Sequence, residues 1–304
     1  MGIAFLFAGQ GSQVVGMGSD LAASCEKCRR LFAAADATLG FSLSRIMAEG
    51  PAGELRRTAI TQPAVLTLSV AQARHLMSLG VVPDMLAGHS LGQSSALVIA
   101  GVLDFEAAVW LVAERGRLMQ ETVPEGEGAM MAIVGLEGER VEAACRAAQS
   151  LGAVSVAGYN APRQTVISGA RAAVEAAAGF CEEEGAAAVP LAVSAPFHCD
   201  LLRPMVPAFA ALAACVPFAD PRLPVIDNVT ARPLADAAAA RQSLIEQITA
   251  PVRFEESLRY LMDVGIDCFV QCGPGDSLLA FARRVSRKAK LLTFEEAVQD
   301  ACAV

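Results

Sequence analysis

The sequence predicts an α/β fold, laid out as a large domain with a smaller one inserted into it. Three observations carry this. Short apolar runs alternate with stretches of helical period, as in β-α units stacked into a sheet. A chain of 304 residues, 54% hydrophobic and only 18% charged, has ample material for a core and too little charge for disorder. In mid-chain the elements run β-α-β-β-α-β, the ferredoxin-like order.

Residues 3–7 form an apolar run, expected to be a buried strand ending in the turn Gly9-Gln10-Gly11. A helix is expected over 63–79, a strand over 85–87, and helices over 92–100 and 105–121. The middle section has a strand over 129–134 and a helix over 140–149. A hairpin over 154–159 and 165–168, a helix over 172–184 and a strand over 188–193 follow. A loop rich in Gly, Pro and Glu (123–128) and Pro196 bound it, so the insert is expected over 127–196. The large domain then takes 1–126 and 197–304. With aromatics at 5% and Ala and Gly abundant, the core is expected to pack from small side chains in close layers.

Composition excludes several classes. The charge-free run 85–103 contains His89, Gln93, three serines and three glycines, too many polar groups for a lipid span. The N-terminus lacks the basic start of a signal peptide, so a cytoplasmic protein with no membrane partner is expected. A net charge of −8 argues against nucleic acid. The nine cysteines are an odd, scattered set. Cys25 and Cys28 form a C-x-x-C, but no second pair or histidine stands at zinc-finger spacing, so reduced, mostly buried thiols and no metal are expected.

Gly88-His89-Ser90-Leu91-Gly92 fits the G-x-S-x-G elbow, between a strand-like run and a small-residue helix. A serine on so tight a turn needs neighbours without side chains, and the helix start leaves N–H donors facing a reacting carbonyl. The plain reading is a glycine turn with a serine N-cap. The nucleophile needs a base, and the chain has three histidines. His75 sits in a helix beside Arg74, and His89 adjoins the serine, where neighbouring side chains point apart. His198, in Pro196-Phe197-His198 at the junction of insert and large domain, is the best-placed base.

Arg115 poses a separate question. At 100° per residue, Ala108, Leu111, Val112, Leu118 and Met119 share its side of the 105–121 helix, whereas Arg117 lies opposite with Glu106, Trp110, Glu114 and Glu121. A guanidinium on an apolar face is costly unless paired, and no acid of this helix shares its side. Its partner is either a distant Asp or Glu or the carboxylate of a ligand.

These residues, with Phe7-Ala8-Gly9-Gln10-Gly11-Ser12-Gln13, Arg115-Gly116, Tyr159-Asn160-Ala161-Pro162, Asp227-Asn228-Val229-Thr230, Gln247 before Pro251-Val252, and Gly273-Pro274-Gly275, resemble the malonyl-CoA:acyl-carrier-protein transacylases of fatty-acid and polyketide synthesis, over nearly the whole chain. The resemblance implies an α/β-hydrolase-like large domain with a parallel-rich sheet. It implies a ping-pong acyltransferase, with acyl carrier protein and malonyl-CoA as partners, no cofactor, and a monomer. It makes Ser90 the nucleophile, His198 its base and Gln247 the position whose backbone carbonyl orients the histidine. Gln10 and Leu91 give the oxyanion hole through backbone N–H groups, and Arg115 holds the malonyl carboxylate. Phe197, His89 and Asn160 line the substrate side, Phe197 crowding an α-methyl branch.

Two positions depart from the family pattern: Ala8, where proline is common, and Gln93, where glutamate is usual. Gln93 is expected near the entrance, altering carrier or substrate preference. A carrier-protein hydrolase and the malonyltransferase subunit of malonate decarboxylase are the rival functions. The cluster Arg283, Arg284, Arg287, Lys288 and Lys290 is either a carrier-docking patch or a solvated helix end.

Overall fold

The computed structural model describes residues 2–124, 126–193 and 195–303. Glu125, in the expected linker loop, and Ser194, at the far end of the expected insert, lie outside the described residues, as do Met1 and Val304.

Among the described residues ten strands form two sheets. In the first, β1 (Gly2–Phe7), β2 (Met85–Gly88), β7 (Val225–Ile226), β9 (Ile266–Cys272) and β10 (Lys290–Leu292) lie in the order β10-β9-β1-β2-β7, every pairing parallel. Helices cover both faces, so the central strands read as unbroken apolar runs rather than alternating ones. Ala4, Phe5, Leu6 and Phe7 of β1 are all fully buried, Phe5 and Phe7 in one core cluster and Ala4 and Leu6 in the other. The helix Thr58–Ser78 runs through the larger cluster, packed against Leu91–Ile99 and Phe105–Thr122.

The second sheet holds β3 (Gly128–Val134), β4 (Val154–Ala161), β5 (Gln164–Ala170), β6 (Ala187–Pro190) and β8 (Val252–Arg253), in the order β6-β3-β5-β4-β8. Its first four strands pair antiparallel, with helices Gly138–Ala148 and Arg171–Glu183 between them in sequence. Period-two alternation divides β3: Ile133 and Met131 pack into the core with the two helices, while Met130 and Ala132 face a cavity. The fifth strand comes from the distant segment after Gln247, as β8 adds parallel to β4 through Gly158–Val252 and Tyr159–Arg253 pairs. The second sheet is thus completed by a strand from far along the chain.

The elements expected from the sequence lie where it places them, with two boundaries differing for physical reasons; the helices between Ser19 and Leu55 and the elements from Asp200 onward carried no expectation. The helix expected from residue 63 begins at Thr58, with Pro63 inside it. Burial of this first stretch, and bonds from Thr61 Oγ1 to the carbonyls of Leu55 (2.5 Å) and Arg57 (3.1 Å), offset the missing proline N–H. The strand expected over 188–193 stops at Pro190, which has no N–H to continue the ladder, although Leu191 N–H still reaches the Met130 carbonyl at 3.0 Å. Trp110 and Leu118 are half-buried, so the solvated and apolar faces of the Phe105–Thr122 helix are less cleanly divided than their angles suggest. All nine cysteines are free thiols. Among the described residues no single helix is long and apolar enough to cross a membrane.

Gly116 fixes how closely the Phe105–Thr122 helix approaches Thr58–Ser78, since a Cβ there would meet the Thr58 carbonyl oxygen at 2.5 Å. Gly116→Ala should therefore destabilise the protein by about 1–3 kcal/mol, the usual range for overpacking. Chemical denaturation measures this, and an alanine variant as stable as the parent would show that the helices can part freely.

Candidate active site

The carboxyl ends of β1, β2 and β9 open on one side of the first sheet, where α/β folds place their ligands. The turn after β2 carries Ser90 at φ 52°, a left-handed conformation unusual for a non-glycine residue. The flanking glycines make this possible. A Cβ on Gly88 would meet the Gly92 carbonyl carbon at 2.0 Å, and one on Gly92 the Phe7 oxygen at 2.0 Å. Asn228 clamps the turn from outside: its Oδ1 accepts from Ser90 N–H at 2.7 Å and its Nδ2 donates to the Gly88 carbonyl at 2.6 Å.

His198 Nε2 lies 2.7 Å from Ser90 Oγ, and its Nδ1 lies 2.7 Å from the backbone carbonyl of Gln247. A carbonyl can only accept, so Nδ1 carries the proton and Nε2 is left with a lone pair toward the serine. His198 is buried, and also left-handed at φ 59°. Burial, and next the charge of Arg115, push its pKa down to about 3. The imidazole is therefore neutral, the form in which it accepts a proton.

Arg115 is only 3% exposed, and its Nη2 is 3.5 Å from Ser90 Oγ. Its other partners are neutral amides: Nη1 donates to Gln62 Oε1 and Nη2 to Gln247 Oε1, both at 2.9 Å. Among the described residues Nε finds no acceptor and no carboxylate lies within ion-pair distance of the guanidinium. Burial lowers its pKa to about 10, which leaves it charged at neutral pH. A buried cation resting on amide dipoles alone is poorly compensated, and this one faces the nucleophile.

The amides form one network. Gln247 Nε2 donates to the Ser90 carbonyl (3.2 Å), Gln93 Oε1 (3.2 Å) and Asn228 Oδ1 (3.0 Å). Gln93 Oε1 also accepts from Asn228 N–H at 2.8 Å, and its Nε2 donates to Ser243 Oγ at 2.6 Å. The entrance position expected for Gln93 is therefore wrong. It is fully buried beneath the elbow, because the Leu91–Ile99 helix is buried on all sides from Leu91 to Val98. The nearest acid along the network is Asp227, which accepts from Ser243 Oγ and Thr230.

A cavity of about 400 Å³ opens over Ser90 between the two sheets. Gln10, His89, Asn160, Phe197 and His198 line it, facing Met130 of β3. His89 Nε2 and Asn160 Oδ1 are 2.8 Å apart, which ties the elbow to β4. The His89 ring packs edge-on against Phe254 at 5.3 Å, and burial lowers its pKa. The backbone N–H groups of Gln10 and Leu91 make no hydrogen bond among the described residues. Every residue singled out for the site from sequence thus lies around this cavity or directly beneath it. Gln62 and Ser243 were missed, and Asn228 was noticed without a role. Gln62 had left a signal, a polar side chain within the apolar run of a buried helix.

The basic cluster is divided. Arg284 is engaged with Gln164 Oε1 (2.8 Å) and the Pro162 carbonyl (3.1 Å), and Lys290 pairs with Asp300 (2.6 Å), so neither is a free surface cation. Arg283 and Arg287 line an open groove of about 810 Å³ beside Pro162.

Residues 4–299 match the family of acyl transferase domains. The chain is 42% identical over 296 residues to the malonyl CoA-acyl carrier protein transacylase of Bacillus subtilis, covering 97% of this chain and 93% of that one. To the protein of the same name from Escherichia coli K12 it is 44% identical, with 93% and 92% covered. It superposes on the malonyl CoA-acyl carrier protein transacylase of Coxiella burnetii with a TM-score of 0.97 at 39% identity, covering 99% and 97% of the chains. A type II PKS malonyl-transacylase solved in complex with its acyl-carrier protein gives 0.94 at 39% identity, covering 99% and 100%.

The depressed pKa of His198 has a measurable sign. Its base form is lost only as pH falls through the folded value, far below that of ordinary imidazole. Labelling of Ser90 by a fluorophosphonate should hold its rate from pH 7.5 to 5. Arg115→Gln removes one of the two main lowering causes and should move the acid limb upward. A wild-type limb near 6.5 would mean that His198 is neither desolvated nor under the Arg115 field.

Proposed function

The chain belongs to the family of acyl transferase domains, and we propose that it moves a malonyl group from coenzyme A to the phosphopantetheine thiol of an acyl carrier protein through an ester on Ser90. One observation carries the substrate class: the buried, carboxylate-free guanidinium of Arg115 stands 3.5 Å from Ser90 Oγ. A malonyl thioester with its carbonyl at Ser90 brings a carboxylate to that charge, and an arginine fork binds a carboxylate in two parallel bonds. A hydrolase clearing simple acyl chains gains nothing from such a clamp.

The cycle has two symmetric halves. His198 Nε2 takes the Ser90 proton as Oγ attacks the thioester carbonyl, and the oxyanion is received by the N–H groups of Gln10 and Leu91. The C–S bond breaks, and coenzyme A leaves with the proton from His198. The carrier thiol then attacks the ester, gives its proton to His198, and Ser90 leaves with that proton. The malonyl carboxylate, once bound, offsets the Arg115 charge and raises the basicity of His198 at the moment of proton transfer. Phe197 crowds an α-methyl branch, and the His89–Asn160 pair holds the cavity wall.

We also read residues 127–196 as a ferredoxin-like insert in an α/β-hydrolase-like body formed by 1–126 and 197–304. The sheet order β6-β3-β5-β4 and the all-parallel first sheet support it. The carrier partner is supported by the complex solved for the similar type II PKS protein. Among the described residues Arg283, Arg287 and Lys288 are the cations of the cluster left free to meet an acidic carrier.

Intact-mass spectrometry tests the assignment. Malonyl-CoA should add one malonyl group, Ser90→Ala should take up none, and His198→Ala should acylate about two to four orders of magnitude more slowly. Arg115→Ala should lose malonyl transfer while keeping acetyl transfer; an unchanged malonyl-to-acetyl ratio would make Arg115 purely structural. Arg283→Glu with Arg287→Glu should raise KM for carrier protein, most at low salt, and leave acylation by malonyl-CoA untouched. Unaltered carrier kinetics would move docking elsewhere.

A further inference from the structure

The C-x-x-C of the sequence stands apart from the acyl-transfer chemistry, yet the fold gives it a third member. Cys25 is the N-cap of helix Glu26–Leu39 and Cys28 lies in its first turn. Helix Thr58–Ser78 packs alongside and brings His75 to them, so that the two sulfurs and one imidazole nitrogen all lie within 4.8 Å of one another. No sequence spacing announced this, because His75 is 47 positions from Cys28 and joins it only through helix packing.

We propose that Cys25, Cys28 and His75 form a zinc site that pins the start of helix Glu26–Leu39 to the far end of helix Thr58–Ser78. Three soft or borderline ligands of this kind suit a d¹⁰ ion with no geometric demand of its own. A tetrahedral Zn²⁺ with two thiolates and an imidazole has ligand atoms about 3.7 Å apart. The observed bound of 4.8 Å lies about 1 Å outside that, within reach of χ1 rotation of the half-buried Cys25 side chain.

The surroundings fit. Cys28 N–H donates to Cys25 Sγ at 3.3 Å, the kind of backbone bond that orients a thiolate ligand. Neither ring nitrogen of His75 has a hydrogen-bond partner among the described residues; the ring only packs against Phe294 at 5.9 Å. Cys28 Sγ makes a weak 3.7 Å contact with the Ala71 carbonyl, which metal ligation would replace. The trio opens on a cavity of about 400 Å³, which leaves the fourth position of the ion open to solvent. Two thiolates and one dication sum to zero, which suits a rim bearing Lys27, Arg30 and Arg74. The bound ion must displace both protons, and they pass to the buffer.

The site lies at the opposite end of the Thr58–Ser78 helix from Gln62, which holds Arg115; at 1.5 Å per residue the separation is about 20 Å. The ion is therefore expected to stabilise the fold without entering the chemistry. The full chain, stripped with EDTA and kept reduced, should take up one Zn²⁺ in competition with a chromophoric chelator. Calorimetry in two buffers of different ionisation enthalpy should report close to two protons released, and Co²⁺ should give thiolate-to-metal charge-transfer absorption. Cys25→Ser should weaken binding by about a hundredfold and His75→Ala by about tenfold, while a Cys215→Ser control binds as the parent does. Zinc should raise the thermal midpoint of the parent and not of Cys25→Ser, with Ser90 labelling unchanged in both. Failure to bind one equivalent, binding indifferent to Cys25→Ser and His75→Ala, or a Cys25–Cys28 disulfide that forms in reducing buffer and excludes the ion would each overturn the proposal.

Discussion

The site depends on one constraint, the strained turn at Ser90. Its left-handed backbone is stable only because two carbonyl-crowded positions, Gly88 and Gly92, carry no side chain and because Asn228 binds both sides of the turn. Strain of this kind costs on the order of 1–3 kcal/mol and persists only where the surroundings over-determine it. In return the hydroxyl stands clear of strand and helix, next to the first free N–H of the helix. Gly9 completes the arrangement, since a Cβ there would meet the His89 carbonyl at 2.6 Å and push the β1 loop off the elbow.

Charge is placed with similar economy. Among the described residues the only full charge beside Ser90 Oγ is that of Arg115; its neighbours Gln62 and Gln247 are amides, and so is Gln93 behind Gln247. An acid in contact with the guanidinium would neutralise it before substrate arrived; amides hold its position and leave its field intact. Burial, and next that field, keep His198 neutral in the resting state. Gln247 joins the two halves of the site, since its side chain holds Arg115 and its backbone carbonyl fixes the His198 tautomer. Gln93, fully buried among these amides, belongs to this support rather than to the entrance.

The two sheets are not independent bodies around a cleft. The segment that presents the Gln247 carbonyl runs on into β8 and pairs with β4, while Arg253 N–H reaches the Asn228 carbonyl at 2.8 Å. Together with the His89–Asn160 contact, this ties the roof of the cavity to its floor, so the position of Met130 and Ala132 over Ser90 is set by main-chain pairing.

The sequence by itself determined whatever is periodic or local. The strand at 3–7, the strand and helix order over 63–193 with its β-α-β-β-α-β middle, the G-x-S-x-G turn and the misplaced charge of Arg115 follow from residue spacing, because backbone geometry repeats at two and 3.6 residues. The resemblance to known transacylases supplied the roles expected of Gln247 and Gln10, which no spacing marks. Tertiary structure alone decided what rests on approach between distant segments. It decided that Arg115 meets amides rather than an acid, that Gln93 is buried, and that Arg284 and Lys290 are engaged. It also brought His75 to Cys25 and Cys28, and β8 to the second sheet. A side chain's environment is made by elements remote in sequence, and a one-dimensional pattern specifies which face is buried but not which partner waits there.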